Sequence, residues 1–224
     1  MIFNQLKFYF YLFIYSKLKH TKLMTQNMKS PNNGFLGNIA KYLMLSFNKF
    51  VINDSVKKLN IQKNDTIIEI GSGNGQAIDK MLKLTNKKIT SIEVSEKFRS
   101  ELIKKFKNKN VNFFSNDAKD LNNIIKKNSF DKLLAVNVVY FLNPIAAYAN
   151  EFYRILKTDG EGLLACKFEG IKKFNDSTAP NKNLNDIIKV FEHAGFKVNT
   201  EFVDSNNEQE KYHAIFIRKV QNDK

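Results

Sequence analysis

Past residue 35 the apolar positions recur every three or four residues, then give way to short β-branched runs. That switch of period predicts helices followed by an alternation of strands and helices. Leu36, Ile39, Leu43 and Phe47 form the stripe of an amphipathic helix, and a second helix is predicted over 51–59 with Val56 and Leu59 inward. Residues 66–70 (TIIEI) are short, apolar and β-branched, as a buried parallel strand should be. The loop Gly71-Ser72-Gly73-Asn74-Gly75 follows at once, and residues 76–84 are predicted helical. Further strands are predicted over 88–94, 111–114, the start of 130–139, and 161–168, with helices over 95–107, 121–127 and 145–156 between them. A helix over 184–194 ends at Gly195, a glycine cap, and two last strands lie at 196–203 and 212–220.

Strands alternating with helices imply right-handed crossovers and a mostly parallel sheet. The polar segment 204–211 leaves no room for a helix, so the last two strands should form an antiparallel hairpin. The expected fold is α/β: a doubly wound, seven-stranded, mostly parallel sheet with an antiparallel C-terminal hairpin, preceded by N-terminal helices.

Composition adds exclusions. The chain has 43% apolar and 26% charged residues, close to globular averages, so neither a fibrous nor a linker-dominated chain is expected. Cys166 is the single cysteine, which rules out an internal disulfide framework and any cysteine-based zinc cluster. It lies in an apolar run and reads as a small buried hydrophobe. His20, His193 and His213 are scattered, so no metal site is expected. The net charge of +14 could serve nucleic acid, an anionic membrane or an acidic partner. But only Arg99, Arg154 and Arg218 are arginines, and arginine is the usual residue for phosphate and base contacts. The joint richness in Lys, Asn, Ile and Phe matches AT-rich codons, so a solvated lysine surface explains the charge.

The N-terminus reads differently from the rest. The run FYFYLFIY over residues 8–15 is unbroken and apolar, yet shorter than the ~20 residues a membrane span needs, and no transmembrane span is expected. Lys7, Lys17, Lys19 and Lys22 flank it, and the first acidic residue is Asp54. Three readings fit: a signal-peptide frame lacking a small-residue cleavage site, a presequence-like basic leader without arginine, or an extension upstream of a start at Met24 or Met28. Pro31, Asn32, Asn33 and Gly34 are turn formers that would separate this leader from the domain. Residues 1–30 are therefore expected to be a dispensable extension that need not be ordered, and 31–224 the domain. Within it, 31–60 are lid helices and 61–220 the core. Localisation reads as cytoplasmic, or mitochondrial if the leader is a presequence.

A strand running into a glycine loop and then a helix is a nucleotide-binding arrangement. Some of its glycines take φ > 0, and others let the backbone approach a ligand without a Cβ in the way. The spacing G-x-G-x-G departs from the G-x-G-x-x-G of NAD sites, because Gln76 stands where the last glycine would be. No Gly-Lys-Ser/Thr follows, which excludes a P-loop.

The run Glu69-Ile70-Gly71-Ser72-Gly73-Asn74-Gly75 resembles motif I of the class I S-adenosylmethionine (SAM)-dependent methyltransferases, which have a Rossmann-like fold. Glu93 after the second strand, Asp117-Ala118 after the third and Phe130-Asp131 at the fourth fall in register with the same family. So do Arg154-Ile155-Leu156-Lys157, in place of R-V-L-K, and Ala194-Gly195-Phe196. The resemblance covers residues 36–220, and the preceding helix pair is similar to the ubiquinone and menaquinone biosynthesis C-methyltransferases. Thr158-Asp159-Gly160 replaces the family's Pro-Gly-Gly, which puts only the turn geometry in question. Asn137-Val138-Val139-Tyr140 lacks both prolines of the Asn-Pro-Pro-Tyr motif of amino-methyltransferases, so that reading is set aside.

The resemblance implies SAM as cofactor, bound by Glu69, Gly71, Ser72, Gly73, Gly75, Glu93, Asp117, Ala118 and Asn137. Glu69 would lie near the methionine amino group, Glu93 would take both ribose hydroxyls, and Asp117-Ala118 would bind the adenine. Each has a plainer rival. Glu69 could face solvent at a strand end, Glu93 could start a helix, and Asp117 could be an N-cap. Asn137 could cap rather than contact cofactor at the carboxyl edge of the fourth strand. A strand-end carboxylate at Glu93 should hold little of the apo fold together. Phe35, Met44 and Phe47 are expected to lid the site, and Tyr140 and Phe141 to wall it. No general base is legible. The acceptor is expected to be a small molecule. An RNA- or protein-directed methyltransferase and a non-catalytic interaction protein of this fold stay as alternatives.

Overall fold

The computed structural model describes residues 2–221, with side chains from Gln5 onward; Met1 of the expected leader and 222–224 of the expected domain lie outside the described residues. Four helices come first: α1 (Ile2–Leu18), α2 (Lys22–Lys29), α3 (Phe35–Phe47) and α4 (Lys49–Lys58). The alternating part follows as β1 (Ile67–Ile70), α5 (Gln76–Met81), β2 (Ile89–Ile92), α6 (Glu96–Lys105), β3 (Val111–Phe114), β4 (Phe130–Val136), α7 (Ile145–Ile155) and β5 (Leu156–Cys166). A short α8 (Phe168–Ile171), then α9 (Leu184–His193), β6 (Phe196–Val203) and β7 (Tyr212–Lys219), complete the chain.

The seven strands form one sheet in the order β3-β2-β1-β4-β5-β7-β6. Strands β1 to β5 pair in parallel, while β7 runs antiparallel to both β5 and β6. The order reverses beside β1, between β2 on one side and β4 on the other, and a sheet of this kind opens its ligand crevice there. Successive residues of a strand point to opposite faces, and here both faces are buried. Leu133, Ala135, Leu164 and Cys166 pack with Phe152 of α7 and Phe191 of α9. Leu134, Leu163 and Ala165 pack on the other side with Val51 and Val56 of α4, Ile78 of α5 and Leu102 of α6. Cys166 is a free, buried thiol.

Three elements differ from the sequence reading. Residues 121–127 form turns, not a helix. The segment is too short to nucleate a helix, its Asn pair favours turns, and Leu121 N–H donates to Glu151 Oε1 at 2.9 Å. The strand expected to begin at 161 pairs already from Leu156, with a register shift opposite Phe130 and Lys132. Thr158-Asp159-Gly160 lies in that irregularity, where Asp159 takes a φ of 62°.

The third difference is the leader, which is ordered and packs on α3. Residues 2–18 and 22–29 are helical, with Thr21 capping α2 through its side chain. Met24 is fully buried in a cluster with Ile39, Ala40 and Leu43 of α3, against which Phe8, Tyr11, Ile14, Tyr15 and Leu18 of α1 also pack. The turn formers of 31–34 are themselves tied to the domain. Ser95 Oγ donates to Pro31 O at 3.2 Å, and Lys97 Nζ to Asn32 O at 2.9 Å. The reason is apolar burial: Ile39 and Leu43 would lose a cover if α1 and α2 were absent.

Candidate functional site

At the point of strand reversal, the loop after β1 turns through three residues with positive φ, Gly71 at 72°, Gly73 at 53° and Gly75 at 75°. The three glycines are not equivalent. A Cβ on Gly71 would stand 2.5 Å from Val138 Cγ2, and one on Gly75 would stand 2.6 Å from a ring carbon of Phe106. Both are therefore required by packing and backbone together. A Cβ on Gly73 would meet nothing within 4 Å, because it would project into the cleft.

Two carboxylates flank the loop. Glu93 is buried; its Oε2 accepts from Gly73 N–H at 2.7 Å and its Oε1 from Ser95 N–H at 2.8 Å. It thus ties the glycine loop to the start of α6. Burial pushes its carboxyl above the usual range, opposed by those two N–H groups. Glu69, inside the end of β1, is buried too, and its Oε2 has no hydrogen-bond partner. Burial, with the Glu93 charge adding to it, pushes the Glu69 carboxyl up to about 8, against a hydrogen bond with Ser72. Ser72 itself accepts from Ser91 Oγ at 2.7 Å. An orphaned, buried acid facing a cleft is costly unless protonated or met by a cation.

The cleft encloses about 400 Å³. Glu69, Gly71, Ser72, Gly73, Glu93, Asp117, Ala118 and Asn137 all line it. Gly75 does not: it stands behind the loop against Leu102 and Phe106, so its role in the structure is packing. Asp117 caps no helix of the structure. It accepts from Lys119 N–H at 3.3 Å and is bonded by the Tyr148 side chain. Asn137 has the left-handed φ of 57° and a side chain committed at both ends. Its Nδ2 donates to Asn48 Oδ1 at 3.0 Å, and its Oδ1 accepts from the Tyr140 hydroxyl at 2.6 Å. It therefore straps the end of β4 to the junction of α3 and α4.

The rest of the wall is apolar. Met44 and Phe47 line the cleft, but Phe35 does not: it is largely exposed and meets Tyr11 edge-on. Tyr140 and Phe141 line it, with Phe141 stacked on Phe174. Tyr15 of α1, Met28 and Lys29 of α2, Asn48, Lys167 and Phe174 also line it, none of them picked out by sequence reasoning. No local signal marks these residues, which lie in segments brought together only by packing. Lys167 follows β5 directly; its Nζ donates to Phe47 O at 2.7 Å, and burial lowers its pKa to about 8. Among the described residues, no group of His, Cys, Asp or Glu could hold a metal ion.

The donor set suits SAM. The partnerless Glu69 oxygen can meet an ammonium, and the empty space over Gly73 leaves room for a ligand against the backbone. The family model of a methyltransferase domain matches residues 68–164. The uncharacterized methyltransferase YdaC of Bacillus subtilis is 26% identical over 127 residues, which are 56% of this chain and 69% of that one. Ribosomal RNA small subunit methyltransferase A of Clostridium acetobutylicum is 36% identical over 107 residues, covering 46% of this chain and 38% of that protein. The chain thus spans well under half of that second relative. Among solved structures, a chain of the complex between the Haloferax volcanii Trm112 methyltransferase activator and a methyltransferase superposes with a TM-score of 0.72 at 12% identity. The match covers 82% of this chain and 94% of that one, and at this identity it speaks to the fold. The glycine loop with its two buried acids and the matched segment lead to one identification: residues 68–164 are a methyltransferase domain, set in the fold shared by class I SAM-dependent methyltransferases.

Proposed function

We propose that the protein transfers the methyl group of SAM to a small molecule with an apolar body. The observation that carries this reading is the cover of the cleft. Tyr15, Met28, Met44 and Phe47, all from the N-terminal helices, line the cleft together with Phe141 and Phe174. Such a covered apolar recess favours a compact acceptor over a polymer.

SAM supplies a methyl group on a sulfonium, a leaving group that departs as a neutral thioether. The chain's own residues then bind, orient and exclude water. Glu69 would pair with the methionine ammonium. Glu93 would use its remaining lone pairs for the ribose hydroxyls, and Asp117 with Ala118 would bound the adenine. Gly71, Ser72 and Gly73 would carry the backbone along the ligand. Asn137 would act chiefly by holding the end of β4 and Asn48 in place. Residues 2–60 would serve as the acceptor-side cover and 61–220 as the cofactor-binding core.

A second reading has its own support. The Clostridium relative is by its name a ribosomal RNA enzyme, and the chain is strongly basic. Against it, Tyr140 of the Asn137–Tyr140 segment is buried and its hydroxyl is bonded to Asn137, so its ring is not presented for stacking on a base. The test is to incubate the full chain with methyl-tritiated SAM, a metabolite extract and total RNA. Label is expected in the solvent-extractable small-molecule fraction. Label confined to RNA would replace this reading with the second one.

A further inference from the structure

Helix α1 has two apolar faces. One packs through Phe8, Tyr11, Ile14, Tyr15 and Leu18 on the cluster around α3. The other carries Leu6, Tyr9, Phe10 and Phe13, spaced as one helical stripe and 63%, 66%, 56% and 61% exposed. Leu23, at the start of α2, is exposed as well. An exposed apolar stripe of this size marks an interaction surface.

Charge decides what fits it. The segment up to Asn53 holds no acidic residue, while Lys7, Lys17, Lys19 and Lys22 lie on or beside α1. Lys17 Nζ stands 5.8 Å from the Phe13 ring centre, so cation and exposed aromatic are neighbours. A second copy of the chain would bring lysines against lysines. An anionic lipid surface would take both features at once, aromatic and leucine side chains among the headgroups and ammonium groups on the phosphates. Among the described residues no helix is long and apolar enough to cross a membrane, which leaves α1 to lie along the surface.

We propose that the stripe Leu6, Tyr9, Phe10 and Phe13 seats the protein on anionic membranes, with α1 in the plane of the interface. The placement has a consequence for the cleft. Tyr15 of α1 and Met28 and Lys29 of α2 line it, so the helices that touch lipid also form the wall through which an apolar acceptor would enter. The membrane contact itself does not depend on what the acceptor is.

The experiment is co-sedimentation of the full chain with phosphatidylcholine vesicles and with vesicles containing about a quarter phosphatidylglycerol. Partitioning into the anionic vesicles should be at least ~10-fold stronger. Replacing Tyr9, Phe10 and Phe13 together by Ser should lower it ~10-fold, with melting temperature and S-adenosylhomocysteine affinity unchanged, since these residues are exposed and outside the cleft. Replacing Lys17, Lys19 and Lys22 by Gln should remove the preference for anionic lipid. No partitioning by the parent, or equal partitioning by parent and both variants, overturns the proposal. So does a dimer in sedimentation velocity that the Ser variant dissolves without any vesicle binding. Loss of S-adenosylhomocysteine binding by the parent would count against the cofactor site and leave the membrane result to stand by itself.

Discussion

Glu69 is the residue whose surroundings make the sharpest demand. Its carboxyl is raised from 4.5 to about 8 by burial, so the folded chain keeps a proton there that the unfolded chain loses first. Stability contributed by that proton is present at low pH and is lost as pH rises from 4.5 towards 8. Urea denaturation at pH 6 and pH 8.5 should show the decline, and Glu69→Gln should flatten it. The ligand reverses the preference, because an ammonium favours the carboxylate. SAM affinity is expected to rise between pH 5.5 and 7.5, by at most about tenfold per unit, with proton release seen as a buffer-dependent heat. Glu69→Gln should weaken binding and remove the pH slope; an unchanged slope would take Glu69 out of the site.

The glycines and Glu93 separate structural from ligand-facing roles at the same scale. Gly73→Val should lose cofactor binding, because its side chain would take open space that the ligand needs, with a cost in stability from the left-handed φ of 53° alone. Gly75→Val should instead lower stability by about 1–3 kcal/mol or more, since its side chain would overlap Phe106 and Leu102. Circular dichroism and calorimetric titration on the pair distinguish the two; a folded Gly73→Val that binds cofactor as the parent does would contradict the assignment. For Glu93 the structure overturns the expectation of a bystander in the apo fold. Both oxygens accept backbone N–H bonds, and hydrogen bonds to charged groups contribute roughly 1.5–3 kcal/mol each. Glu93→Ala should therefore lower the apo melting temperature as well as SAM affinity, with Glu93→Gln between it and the parent. Unchanged melting temperature would show that the two bonds are weak in solution.

At the scale of elements, α1 and α2 act as one cover. Burying a large apolar side chain contributes about 1.5–3 kcal/mol, and their removal would strip Ile39 and Leu43 of neighbours and take Tyr15 and Met28 out of the cleft wall. A chain beginning at Met28 is expected to melt at least ~4 °C lower, on the scale of 2–4 °C per kcal/mol for a chain of this size. It should also bind SAM more weakly. Differential scanning calorimetry and titration of both lengths check this; equal values would return α1 and α2 to the status of an appendage. Thr25 adds a tie that the sequence does not announce: its Oγ1 accepts from Asn175 N–H at 3.1 Å, joining α2 to the segment after α8.

For the whole molecule, the cleft lies where the sheet reverses and where both core layers meet the helical cover, so ligand binding should stabilise the entire cooperative unit. Saturation at about 100 times Kd contributes about 2.7 kcal/mol. S-adenosylhomocysteine should then raise the parent's melting temperature by ~5–10 °C and leave Gly73→Val unmoved. A parent indifferent to the ligand would argue for a fold retained without its cofactor.

The amino-acid sequence by itself determined the layers and the cofactor side of the cleft. The switch of period marked the segments of Leu133–Ala135 and Leu163–Cys166 as strands of the sheet, and the Asp204–Lys211 loop set the antiparallel return of β7. Glu69 through Gly75 could be read because a strand, a tight turn and a helix start are consecutive in the chain, so their chemistry depends on local dihedral angles and spacing. Only the tertiary structure decided the rest. It showed that Gly75 packs while Gly73 faces open space, and that Glu93 is a strut of the loop. It placed Asn48 on Asn137, moved Phe35 out of the cleft and made the leader part of its wall. These outcomes turn on contacts between residues as far apart as Thr25 and Asn175, which arise from burying apolar surface across the whole chain and leave no periodic or local trace in the segments that make them.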